Sequence, residues 1–165
     1  MNGFPPGTTV STTASTTAST TASLKIPGQG YIVANGIGAH KLHTKEHTWS
    51  QARQICIDEG GDLVVIKSVE EENIVLGMDN VARAVGPNRD SFGLWIGFRD
   101  PFGKGDWISV FSETLVENRW ARWWKYDVQF NGNKCVVYYS ESEAHGMYPI
   151  DCNAKRYFIC KIKTI

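Results

Sequence analysis

The sequence lacks several features, and each absence removes a class of protein. No run of about 18 apolar residues occurs, so no helix of this chain is expected to cross a membrane. The start, Met1-Asn2-Gly3-Phe4-Pro5-Pro6, has no apolar stretch and shows no signal peptide. If the protein is secreted, this is expected to be a mature or shortened form. Neither sign of charge is in excess: 17 Lys and Arg balance 17 Asp and Glu. Binding to nucleic acid through overall charge requires many neutralised phosphates, so no nucleic-acid partner is expected. Gly-x-Ser-x-Gly, His-Glu-x-x-His and Cys/His nucleophile arrangements are missing, so no catalytic residue is assigned and no enzyme is expected. The Asn-x-Ser/Thr sequon does not occur. No two cysteines are separated by two residues, which removes the usual zinc-knuckle spacing.

What is present divides the chain in two. Residues 8–23 read TTVS-TTAS-TTAS-TTAS, without charge or large apolar side chains. Such a segment cannot bury enough surface to offset its ordering entropy. Residues 1–27 are therefore expected to be a Thr/Ser-rich stalk, either mucin-like and O-glycosylated or a plain linker. Residues 28–165, about 140 in number, suit one domain. Four cysteines, Cys56, Cys135, Cys152 and Cys160, allow three disulfide pairings. Their even number and the polar stalk favour an oxidising, extracellular compartment over four buried cytosolic thiols.

Gly30-Tyr31-Ile32-Val33-Ala34 and Ala39-His40-Lys41-Leu42-His43 flank Asn35-Gly36, a hairpin signal. Thr48 is placed as the cap of a helix whose Trp49, Ala52 and Cys56 share one face, stopped by Gly60-Gly61. Leu63-Val64-Val65-Ile66 reads as a short buried strand. A second helix is expected from Ser68 to about Val85, ended by Gly86-Pro87, with Glu71 reaching back to the cap in a capping box. Glu70-Glu71-Glu72 reads as a solvated first turn, favourable to the helix dipole. Strands follow at 94–98, 107–111, 135–139 and 157–161, with a long aperiodic segment at 112–134 of the kind that serves binding. Hairpin, helix, helix and then strands give an α+β class.

Several of these motifs, in this order, resemble the C-type lectin-like domain. Trp95-Ile96-Gly97-Phe98 is similar to that family's central Trp-Ile-Gly-Leu strand, and Thr48-Trp49-Ser50-Gln51-Ala52 with Cys56 to its first helix. Gly60-Gly61-Asp62-Leu63-Val64-Val65-Ile66, Asp106-Trp107-Ile108 and the closing Tyr157-Phe158-Ile159-Cys160-Lys161 complete the likeness over residues 28–165. The hairpin sequence from Gly38 to Lys45 looks most like arthropod immune lectins of the hemolymph lipopolysaccharide-binding kind. The resemblance implies two helices on antiparallel sheets with a long irregular ligand-binding loop. It also implies the short form of the domain, with disulfides Cys56–Cys160 and Cys135–Cys152.

Sugar-binding members of the family hold calcium, a hard cation requiring six to eight oxygens. Counted back from the cysteines, the positions that supply them fall on Lys125-Tyr126-Asp127, on Asn133 and on Tyr148-Pro149. Only Asp127 is an acid there, and Asp151 joins it only if the register shifts. The expectation is that the principal calcium site is lost and that no cofactor is needed, with a calcium-dependent lectin as the alternative. In its place stands Arg119-Trp120-Ala121-Arg122-Trp123-Trp124-Lys125-Tyr126, cations alternating with aromatics. Guanidinium groups fork onto phosphate oxygens, and rings stack on sugars or acyl chains. The ligand-binding set is therefore placed at Arg119, Arg122, Trp124, Lys125, Tyr126, Asp127 and Asn133. At least two of Trp120, Trp123 and Trp124 are expected in the core. His40, His43 and His47 are not taken as metal ligands, because strand alternation turns His40 and His43 to opposite faces. The expected function is secreted recognition of microbial glycans or lipopolysaccharide in innate immunity. A protein-binding module without sugar activity is the further alternative.

Overall fold

A computed structural model describes residues 28–86, 93–120, 122–124, 132, 134–141 and 144–164. The chain opens with a hairpin of β1 (Ile32–Ala34) and β2 (Gly38–His47), turning at Asn35-Gly36 with Gly36 at a φ of 78°. Helix α1 (Trp49–Asp58) begins at Thr48, whose hydroxyl accepts from Gln51 N–H while the Gln51 side chain accepts from Thr48 N–H. The expected face of Trp49, Ala52 and Cys56 is the buried one. Gly61 then passes so close to the last strand that a Cβ on it would stand 2.1 Å from Lys161 O.

Of the expected strand at 63–66, only β3 (Asp62–Leu63) is regular, although all four positions are buried. Helix α2 (Val69–Val85) ends at Gly86, as expected. Ser68 accepts from Glu71 N–H, but the capping box is not closed: the Glu71 carboxylate accepts from Lys67 N–H at 2.9 Å instead. The remaining elements are β4 (Leu94–Arg99), β5 (Ile108–Ser109), α3 (Leu115–Asn118), β6 (Cys135–Glu141), β7 (Ala144–Ile150) and β8 (Arg156–Ile162). Two of these had no sequence signal. Strand β7 contains Gly146 and Pro149, both poor strand residues, and α3 is too short to show a helical period.

The sheet runs β1-β2-β8-β4-β6-β7, with β3 added to β8 and β5 to β4. All the pairings are antiparallel except β4 with β8, which meet in parallel at Trp95 and Phe158. That parallel contact departs from the antiparallel sheets expected. It arises because β8 returns beside β2 and so runs alongside β4.

Two packed clusters meet across β4. Trp95 is fully buried with Trp49, Cys56, Cys160 and Phe158, while Ile96 and Phe98 pack with Val75, Trp107, Tyr138 and Met147. Buried indoles need an acceptor. Trp49 Nε1 donates to Ile96 O at 2.9 Å and Trp95 Nε1 to His47 O at 2.8 Å, which ties α1 and β2 to the central strand. Between these residues, Gly97 leaves no room for a side chain, since a Cβ would lie 2.9 Å from Leu63 O. Disulfides join Cys56 to Cys160 and Cys135 to Cys152, so the implied pairing is the one observed.

Candidate ligand-binding site

The basic-aromatic segment is seated on the outer edge of β7. Met147 N–H donates to Arg122 O at 2.7 Å and Trp124 N–H to Met147 O at 2.9 Å, which pairs Trp123 with Met147 in parallel. Residues 122–124 thereby extend the sheet by one short rung. Gly146 makes this approach possible, because a Cβ there would stand 2.7 Å from Trp124 N and 2.8 Å from Arg122 O.

The three tryptophans are not core residues in the expected sense. Trp123 is half-buried and meets the buried Trp107 edge-on at 5.2 Å. Trp124 is half-buried against Tyr139 at 4.7 Å and Tyr148 at 5.9 Å. Trp120 is 36% exposed. The inner positions at this end of the sheet are already filled by Trp107, Tyr138 and Met147, so these indoles lie on the rim.

Arg119 and Arg122 are both exposed. Arg119 ends α3 in a left-handed conformation, φ 60°, which turns the chain out of the helix. The buried Asn118 fixes that turn: its Nδ2 donates to Ile66 O at 3.3 Å and its Oδ1 accepts from Trp120 N–H at 3.1 Å. Arg122 lines a small recess of about 10 Å³ with Trp120, Glu72, Tyr138 and Met147. The recess thus carries a carboxylate residue as well as the exposed arginine. Lys125, Tyr126, Asp127 and Asn133 lie outside the described residues, as does the 1–27 stalk.

Part of the expected calcium ligand set lies among the described residues. Tyr148 and Pro149, near which the count from Cys152 puts the Asn-Asp pair, bring no carboxylate, and Pro149 is buried in β7. Asp151 is exposed, but its Oδ1 accepts from Asn153 N–H at 2.8 Å and shapes the turn beside Cys152.

Of the glutamate triplet only Glu70 is solvated. Glu71 is 1% exposed; its Oε1 lies 2.8 Å from His40 Nε2 and 2.5 Å from Lys161 Nζ. Glu72 is also buried, accepting from Tyr138 Oη at 3.2 Å, with His145 Nδ1 at 3.1 Å. Burial pushes the Glu71 carboxyl up, but hydrogen bonds from His40 and Lys161 outweigh it and hold the group below the usual carboxylate range. The signal was helical phase. Glu71 stands four and seven residues before the buried Val75 and Met78, on the inward face. Among the histidines, His40 faces Glu71 while His43 stacks on Phe158 at 4.4 Å and meets Glu59 at 3.1 Å. The Cys160 sulfur close to His43 and Glu59 is bonded to Cys56, so it is not a free metal donor.

The profile of the Lectin C-type domain matches residues 45–162. The chain belongs to the C-type lectin domain family. This lectin domain is 30% identical over 135 residues to the hemolymph lipopolysaccharide-binding protein of Periplaneta americana, covering 81% of the chain and 52% of that protein. It is 29% identical over 133 residues to C-type lectin domain family 6 member A of Mus musculus, covering 79% and 58%. The chain thus spans about half the length of the curated relatives it matches. Among solved structures, the lectin domain of murine dendritic cell inhibitory receptor 2, in complex with N-glycan, superposes with a TM-score of 0.66 at 19% identity, covering 83% of this chain and 98% of that one. Human lithostathine gives a TM-score of 0.66 at 22% identity, covering 83% and 99%. A calcium-independent type II antifreeze protein gives 0.63 at 19%, covering 85% and 96%. These likenesses establish the fold.

Proposed function

We propose that this C-type lectin domain is a secreted, non-catalytic recognition module for microbial surface glycoconjugates of the lipopolysaccharide type, acting in innate immunity without calcium at the family's principal site. The observation that carries the reading is the pair of exposed arginines, Arg119 and Arg122, flanking an aromatic strip held on β7. Guanidinium groups can grip phosphate in two-pronged hydrogen bonds, and Trp124 with Tyr148 offers ring faces to sugar. Lys125, Tyr126, Asp127 and Asn133 are proposed to complete the surface. Similarity to a hemolymph lipopolysaccharide-binding protein supports the ligand class. The donor chemistry at Tyr148 and Pro149 supports independence from calcium.

The test is retention of the oxidised domain on immobilised lipopolysaccharide, once with calcium and once with EDTA. Equal retention is expected. Retention lost in EDTA would return the calcium-dependent lectin. Absence of retention in both would favour a protein-binding module. The double substitution Arg119→Ala with Arg122→Ala is expected to weaken binding at least tenfold, since a hydrogen bond to a charged group contributes about 1.5–3 kcal/mol.

A further inference from the structure

Beside the aromatic strip, between residues 105–108 and α3, lies an open groove of about 290 Å³. Its apolar lining is Trp107, Ile108, Leu115 and Val116. Val116 is 84% exposed, and Phe102 and Phe111, on the turns before and after β5, are 73% and 55% exposed. Single exposed apolar side chains are ordinary, but an exposed valine continuous with the apolar wall of one groove is a binding signal.

The groove is continuous with the candidate site in two ways. Trp107, in its wall, is the residue that Trp123 meets edge-on at 5.2 Å. Helix α3, which supplies Leu115 and Val116, ends at Arg119. Val116 and Arg119 are three residues apart in the chain, the valine on α3 and the arginine at the left-handed turn that ends it.

We propose that this groove takes one acyl chain of an anionic amphiphile whose phosphate is held at Arg119. This rests on the amphiphilic, phosphorylated ligand proposed above and adds to it a defined place for the lipid. Charge sets the orientation. The groove wall carries a carboxylate, Asp106, which disfavours an anionic head inside it. Two further acids nearby are already engaged: Glu117 accepts from Thr114 N–H at 2.7 Å, and Glu113 pairs with Lys67 at 2.5 Å. The head is drawn to the cation at the end of α3 and the chain to the apolar wall.

The experiment is a titration of the full chain with monomeric hexyl, octyl and decyl phosphate, with inorganic phosphate as the zero-length member, followed by tryptophan fluorescence. Each added methylene is expected to tighten binding about two- to fourfold. Val116→Asp, at an exposed position, is expected to flatten that dependence while leaving the melting curve unchanged. Arg119→Ala is expected to weaken every chain length by the same factor. A flat series in the wild type, no binding of any member, or a slope undiminished in Val116→Asp would each overturn the proposal. Lipopolysaccharide retained despite a flat series would sink the groove alone. A steep series without retention of lipopolysaccharide would sink the ligand reading and leave the groove.

Discussion

Gly146 lies directly beneath the backbone of Trp124, and a Cβ on it would stand 2.7 Å from the Trp124 nitrogen. The contact joins the candidate ligand surface to the sheet. Gly146→Ala is expected to lift residues 122–124 from β7 and break the two hydrogen bonds with Met147. Overpacking of this kind costs about 1–3 kcal/mol. Retention on lipopolysaccharide should fall more than the melting temperature does. A variant with unaltered binding would show that the strip is not the site.

Glu71 is sealed beneath the start of α2 with His40 and Lys161. Glu71→Ala would leave the buried His40 and the half-buried Lys161 without their partner, at a cost of about 3–5 kcal/mol, to be read from urea denaturation at neutral pH. A loss under about 1 kcal/mol would contradict the pairing.

The same residue gives a pH dependence with a definite sign. Its folded pKa lies below the ordinary value of 4.5, so the unfolded chain binds the proton more readily. The stabilisation is present above that value and disappears as pH falls through the folded pKa. Stability of the wild type should therefore decline on acidification below about pH 4.5. In Glu71→Gln the decline should be shallower. Equal slopes in the two proteins would exclude Glu71 as a contributor.

The two disulfides close loops of very different size, with sequence separations of 104 and 17. Chain-entropy estimates give about 4.7 kcal/mol for a loop of about 100 residues and about 3 for one of about 15. Replacing Cys56 and Cys160 together by Ala should cost more than replacing Cys135 and Cys152, by denaturant midpoint. The reverse order would point to strain or to structure in the unfolded chain.

Calcium should leave the melting temperature unchanged relative to EDTA. An ion bound only to the folded state at a hundredfold excess over its Kd would add about 2.7 kcal/mol, a shift of several degrees. Such a shift would show that Asp127 or Asp151 belongs to a surviving site.

Local patterns were enough to place much of this domain. Thr48 and Ser68 as helix caps, Trp49, Ala52 and Cys56 as one face, Asn35-Gly36 as the hairpin turn and Trp95-Ile96-Gly97-Phe98 as a buried strand follow from short-range rules that hold wherever the segment sits. The family likeness placed the disulfides for the same reason: the motifs around the cysteines are local. The fate of Glu71 and Glu72 was only half legible. Their helical phase was visible, but no pattern named His40, Lys161, Tyr138 and His145, which come from four different strands. Strand β7 was hidden because Gly146 and Pro149 are poor strand formers, and their fitness here depends on the segment that crosses Gly146. The sequence by itself determined the family, the cysteine framework and the presence of a basic-aromatic segment. The tertiary structure alone decided which tryptophans stand on the rim, which glutamates are buried and that Trp107 and Val116 line one groove, because each depends on contacts between residues far apart in the chain.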